Sequence, residues 1–186
     1  MKEILISIKP QYCDLIADGK KTVEVRKTIP KLETPFKVYI YCTKGKTAND
    51  IITFAEWDES GYIGDYLANG AVIGEFVCDR IENHGINELI VREDAEHALK
   101  GTCLTKGELL NYLCYEKGTS IYEKPYFFYG WHISNLVIYD KPRTLNEFKK
   151  PCNHKNDWCT CERYDYIGKR CYDKITRPPQ SWCYVN

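Results

Sequence analysis

The 186-residue chain predicts an α+β fold, a small mixed β-barrel with flanking helices and a cysteine-rich insertion, on three observations. Short runs of period-two apolar alternation recur from Ile4 to Val185, two stretches between Arg92 and Gly118 carry helical spacing, and five Cys and His residues crowd a segment with few aliphatic side chains. A single domain over residues 1–186, with the insertion at 149–175, accounts for the length, because a chain of this size buries one sizeable core.

Each element follows from local chemistry. Ile4 to Ile8 is a short apolar strand, and Pro10 suits the first turn of a helix, where a missing N–H costs nothing. Tyr12, Leu15 and Ile16 form the apolar face of that helix, and Gly19 supplies the left-handed residue that ends it. Thr22-Val23-Glu24-Val25-Arg26 then alternates as a strand. Val23 and Val25 are expected inside, with Thr22, Glu24 and Arg26 on the opposite, open face beside Lys21.

Phe36 to Cys42 is the next strand, with Tyr39 and Tyr41 on the face opposite Val38, Ile40 and Cys42. Thr43 to Gly70 is polar and rich in Gly and Asp, and is expected to hold a short hairpin or a wandering loop. Ala71 to Cys78 is a strand whose interior Gly74 marks a bulge or a close backbone approach. Arg92 to Lys100 reads as a helix stopped by Gly101. Thr105 with Glu108 makes a capping box that opens a second helix, with Leu109, Leu110 and Leu113 inward and Gly118 at its end. Tyr126 to Ile133 and Leu136 to Tyr139 form one strand or two, broken near Ser134-Asn135, and Ser181 to Val185 returns to close the barrel.

Composition narrows the function classes. Net charge is zero, yet residues 1–46 carry +5, residues 47–120 carry −9 and residues 121–186 carry +4. The first and last segments are expected to pair as neighbouring strands and to combine into a basic face that suits an anionic ligand. Overall neutrality argues against tight, sequence-blind binding of long duplexes. No apolar run is long enough to span a membrane and no secretory leader precedes the first strand, so a soluble, cytoplasmic protein with no membrane partner is expected.

Ten cysteines in such a setting point to thiols or metal. Cys13, Cys42 and Cys78 fall in apolar patterns and are expected as small buried hydrophobes. Between Phe148 and Thr176, four thiolates from Cys152, Cys159, Cys161 and Cys171 can organise the insertion around a structural zinc ion. His154 is a substitute ligand. The single residue between Cys159 and Cys161 is short for a zinc knuckle, so free thiols and a disulfide remain open alternatives. A site closed by four protein ligands leaves no place for an activated water, so the role expected of zinc is structural, and no other cofactor is expected.

The segments Ser7-Ile8-Lys9-Pro10 and Gly19-Lys20-Lys21-Thr22, with Glu24 and Arg26 beyond, resemble the ASCH family, a branch of the PUA-like superfamily. The likeness covers Ile4 to Thr43, Gly74 to Arg80 and Tyr129 to Pro142, and closes with Arg177 to Val185. Together these are similar to small, often phage-associated ASCH proteins. The resemblance implies a PUA-like barrel whose cleft takes RNA, a modified nucleoside or a nucleotide. Lys9, Lys21 and Arg26 then contact phosphate, Tyr12, Tyr41 or Trp131 stacks on a base, and Glu24 or Glu75 reads a donor edge. Most of these side chains also have an ordinary structural role open to them: Tyr12 in the helix core, Trp131 in the strand core, and Glu24 with Arg26 as an ion pair.

A hydrolytic branch of the family implies an alternative, a small amidohydrolase-like enzyme acting on a modified nucleoside, or one cleaving single-stranded RNA. Lys21 matches that branch's catalytic lysine. At the nucleophile's place stands Glu24, which cannot substitute for a hydroxyl, and Thr22 lies two residues earlier on the same face. Lys21, Thr22 and Glu24 are therefore the catalytic candidates of that alternative. His132 is a further acid/base candidate that reads more simply as a satisfied strand residue. A role for the insertion as a contact surface for a protein partner of unknown identity is a third reading.

Overall fold

The computed structural model describes residues 3–85, 95–114, 127–150 and 174–185. The near-continuous apolar run at the N-terminus becomes β1 (Glu3–Ile8), whose Ile4, Leu5 and Ile6 are wholly buried, as a strand covered on both faces requires. Pro10 opens α1 (Pro10–Ala17), and Gly19 ends it at φ +70°, with its N–H on the Ile16 carbonyl. β2 (Val23–Arg26) and β3 (Phe36–Cys42) follow where alternation places them.

The polar connection after Cys42 resolves into a hairpin of β4 (Thr53–Asp58) and β5 (Gly61–Leu67), forming its own two-stranded sheet. β6 (Val72–Gly85) runs well past the expected Cys78. At Gly74 a Cβ would meet the Val137 carbonyl oxygen, which is the close backbone approach that the glycine signals. α2 (Ala95–Leu99) lies within the expected helical stretch and is stopped by Gly101 at φ +75°. α3 (Lys106–Cys114) opens on the expected capping box: Thr105 N–H donates to Glu108 Oε2 at 2.8 Å and Glu108 N–H to Thr105 Oγ1 at 3.2 Å. The expected helix ends at Arg92 and Gly118 lie outside the described residues.

β7 (Phe127–Arg143) is one strand, and the break expected near Ser134-Asn135 survives as a left-handed Asn135 at φ +47°. β8 (Trp182–Val185) pairs antiparallel with β1, bringing the two ends of the chain together as expected. β1 is also parallel to β3, and β2 antiparallel to β7, within a six-stranded sheet of order β2-β7-β6-β3-β1-β8 that is not closed among the described residues. The mixed α+β class is as the sequence predicts.

The chain divides into two compact units: Met1–Pro10, Lys37–Glu75 and Val137–Asn186 form the first, and Gln11–Phe36 with Phe76–Leu136 the second. The first has a core of Leu5, Tyr39, Tyr41, Val72, Phe148, Ile175 and Val185. In it Lys149 bridges Lys174, and the Ile175 N–H donates to the Phe148 carbonyl at 2.9 Å. The segment between, with Cys152, His154, Cys159, Cys161 and Cys171, lies outside the described residues. The second unit packs Val25, Ala98, Leu109, Leu113 and Phe128. Cys13, Cys42 and Cys78 are buried free thiols, and burial pushes Cys78 up to about 12. No described helix is long and apolar enough to cross a membrane.

Candidate functional site

The charged junction around β2 lies in the second unit. Lys21 leaves the α1 turn with its N–H on the Leu15 carbonyl, and the next two amides, of Thr22 and Val23, both donate to the Gly101 carbonyl. The stretch just before α3 therefore covers the margin of β2. This corrects the open face expected for Glu24 and Arg26: both faces of β2 are buried, and the side chains of Lys21, Glu24 and Arg26 are only 2%, 7% and 9% exposed.

These three groups form one ionic array. Lys21 Nζ donates to the carbonyls of Thr102 at 2.6 Å and Val23 at 2.9 Å, and stands 3.3 Å from Glu24 Oε2. Glu24 Oε1 takes Arg26 Nη2 at 2.9 Å, so one carboxylate bridges two cations. Two tyrosines flank the array. Lys21 Nζ lies 5.3 Å from the centre of the Tyr12 ring, and Tyr112 accepts a hydrogen bond from Arg26 while Lys27 Nζ lies 5.2 Å over its ring. Burial, helped by the Glu108 charge, raises the Tyr12 phenol. Burial also raises Tyr112, with Arg26 opposing.

Three acceptors surround Lys21 Nζ, the Thr102 and Val23 carbonyls and the Glu24 carboxylate, as many as a lysine head has donors. None of those acceptors is Thr22, whose side chain is exposed at the strand entrance. Glu108, an acid whose charge reaches Tyr12, is spent on the α3 cap.

A second polar group in the same unit was not anticipated. Arg80, Glu82 and His84 alternate on one face of β6. Glu82 Oε2 lies 3.2 Å from His132 Nε2 and 3.6 Å from His84 Nε2, and Glu82 Oε1 lies 3.2 Å from Arg80 Nη2. Burial works to raise the Glu82 carboxyl, but the His132 hydrogen bond and the surrounding cations outweigh it and hold the group below the usual range. His132 is thus partnered, with its side chain 20% exposed, and His84 stacks on Phe128 at 5.0 Å. Among the described residues no cluster of His, Cys, Asp and Glu could hold a metal ion.

The other expected contact residues fall elsewhere. Trp131 is wholly buried and meets Phe36 edge-on at 5.7 Å, so its ring offers no face to a base. Tyr41 is a core residue of the first unit at 3% exposure, for the same reason unavailable for stacking. Glu75, also in that unit, accepts from Lys37 Nζ at 2.7 Å and Tyr139 Oη at 2.6 Å. Lys9 is exposed between β1 and α1. Sequence reasoning missed Tyr112, Thr102, Glu82 and His84. Only the Arg80, Glu82, His84 alternation left a signal, extending the β6 pattern past Cys78.

A six-stranded mixed sheet with short helices defines a small α+β protein. Solved structures agree on the fold. The chain is similar to the ASCH protein of Zymomonas mobilis at 19% identity and a TM-score of 0.54, over 99% of this chain and 87% of that one. Two mutants of that protein match alike. For a Tyr-to-Phe form the values are 18% and 0.56, over 100% and 91% of the two chains. For a Ser-to-Ala form they are 17% and 0.57, over 99% and 88%. The fold is that of ASCH domain structures. No family model and no curated protein matches the sequence.

Proposed function

We propose that the protein is a PUA-like binding module for RNA or for a modified nucleoside or nucleotide, with the ligand held beside β2. The observation that carries this reading is the buried Lys21, Glu24, Arg26 array between Tyr12 and Tyr112. Taking three ionised side chains out of water is costly, and apolar residues of similar size would serve the core at least as well. On the present reading the array is there for its charge. Its two cations against one carboxylate leave a positive surplus for an anionic ligand, with the exposed Lys20 and Lys27 on either side of the array in sequence. Tyr112, 38% exposed, offers a ring for stacking.

The hydrolase reading has less support, since Lys21 is fully engaged and Thr22 is not among its partners. The test uses variants at the margin of the array that keep Lys21, Glu24 and Arg26 themselves, although Tyr112→Ala also removes a partner of Arg26. Fluorescence anisotropy with a labelled single-stranded RNA and with nucleoside monophosphates should show binding that weakens at least about tenfold in Lys27→Ala with Tyr112→Ala, and that falls with added salt. Binding unchanged in that double variant would refute the placement, and time-dependent conversion of the ligand would move the protein to the enzyme class.

A further inference from the structure

We propose that the β4–β5 hairpin is a docking surface for a partner protein, and that it takes a cationic segment rich in aliphatic side chains. The pleat gives the hairpin two apolar faces. Phe54 pairs with Tyr66 and Glu56 with Gly64 on a half-buried face, where the two rings lie 6.0 Å apart and Tyr66 Oη donates to the Tyr139 carbonyl at 2.6 Å. The opposite face pairs Thr53 with Leu67, Ala55 with Asp65 and Trp57 with Tyr62, and all six are exposed. Ile63, the extra residue where the register shifts after Glu56, is exposed as well.

A solvated ribbon face normally carries polar residues. Here Trp57 is 59% exposed, Tyr62 56%, Leu67 53% and Ile63 51%, and with Ile51 this segment holds five of the nine large exposed apolar side chains among the described residues. Trp57 and Tyr62 meet edge-to-face at 5.6 Å, a rigid aromatic pair of the kind that anchors protein interfaces.

Charge selects the occupant. From Ile51 to Leu67 the chain has no Lys or Arg, and Asp65 lies on the exposed face with Asp58 and Glu59 at the tip, while Glu56 lies on the half-buried face. The three exposed carboxylates repel a phosphate backbone, and the same hairpin of a second copy would set like charges face to face. A segment bearing Arg or Lys pairs with these carboxylates and can stack its cations on Trp57 and Tyr62. At the hairpin base an open groove of about 400 Å³ is lined by Ile51 and Leu67 together with Lys44 and Lys46, so it disfavours a cationic side chain and can take an aliphatic one. The docked segment therefore runs with its cations toward the Asp58 and Glu59 tip and an aliphatic residue toward the groove.

The full chain is titrated into a fluorescein-labelled peptide of alternating Arg and Leu, with Arg-Ser and Glu-Leu peptides, a single-stranded RNA and phosphatidylcholine vesicles in parallel. The Arg-Leu peptide is expected to bind at least tenfold more tightly than either other peptide. Binding should fall at least tenfold in Trp57→Ser with Tyr62→Ser, and several-fold in Glu59→Lys, which leaves the Asp58 and Asp65 contacts in place. Ile63→Ser with Leu67→Ser gives a second apolar test should the aromatic variant lose its circular dichroism spectrum. Equal binding of the Arg-Ser peptide, full retention in the folded apolar variants, or no binding by the wild type overturns the proposal. So does a hairpin-dependent gain of dimer, RNA or vesicle instead.

Discussion

Glu24 shows how far a single side chain can be read before its neighbours are known. Parity along Thr22 to Arg26 separates it from Val23 and Val25, and that separation holds. Its burial was not legible, because the cover comes from Thr102, Gly101 and Tyr112, some eighty residues away in sequence. The array makes a prediction at this scale. Removing the shared partner, as in Glu24→Ala, leaves Lys21 and Arg26 buried together without the carboxylate between them and should cost about 3–5 kcal/mol, whereas Lys21→Met with Glu24→Met and Arg26→Met should leave stability about equal or higher. Urea denaturation measures both. A triple variant that is as unstable as the single one would mean that the array is needed for folding itself, and would remove the main support for a binding role.

Among the elements, local signals were strongest where backbone chemistry alone sets the outcome. Pro10, Gly19, Gly101 and the Thr105 with Glu108 box each punctuate a helix where expected, since caps and left-handed residues depend on a few neighbours only. Strand lengths were less legible. β6 and β7 run to 14 and 17 residues because partners continue to satisfy their amides where apolar alternation has ended. Gly74 is the element-scale test: a methyl group there meets the Val137 carbonyl, part of a backbone that cannot swing aside. Gly74→Ala should lower stability by about 1–3 kcal/mol, read as a reduced denaturation midpoint with an unchanged slope. An unaffected midpoint would show that β6 and β7 separate more easily than their packing implies.

For the whole molecule, carboxylates set the acid limit. Burial tends to raise Glu75 and Glu82, but Lys37 and Tyr139 on the first and His132 with Arg80 on the second hold both below the usual range. Hydrogen bonds from Thr105 hold Glu108 down as well. A carboxyl whose native pKa lies below its unfolded value contributes stability that is present above the unfolded value, about 4.3, and is lost as pH falls through the native one. Thermal melts should therefore be flat from pH 7 to about 5 and fall steeply below about 4, and Glu75→Gln should lessen that fall. A melting temperature insensitive to pH down to 3 would contradict these pairings. The sequence by itself determined the α+β class, the strands β1 to β3, the residues that punctuate the described helices and the β1 to β8 pairing, because hydrophobic period and turn chemistry are local properties of the chain, while it left the β4–β5 hairpin and the single strand β7 open. Only the tertiary structure decided that Glu24 and Arg26 are buried, that Trp131 and Tyr41 belong to cores, and that the hairpin of β4 and β5 exposes an apolar face. Burial is fixed by what distant segments bring to a surface, and no local pattern records that.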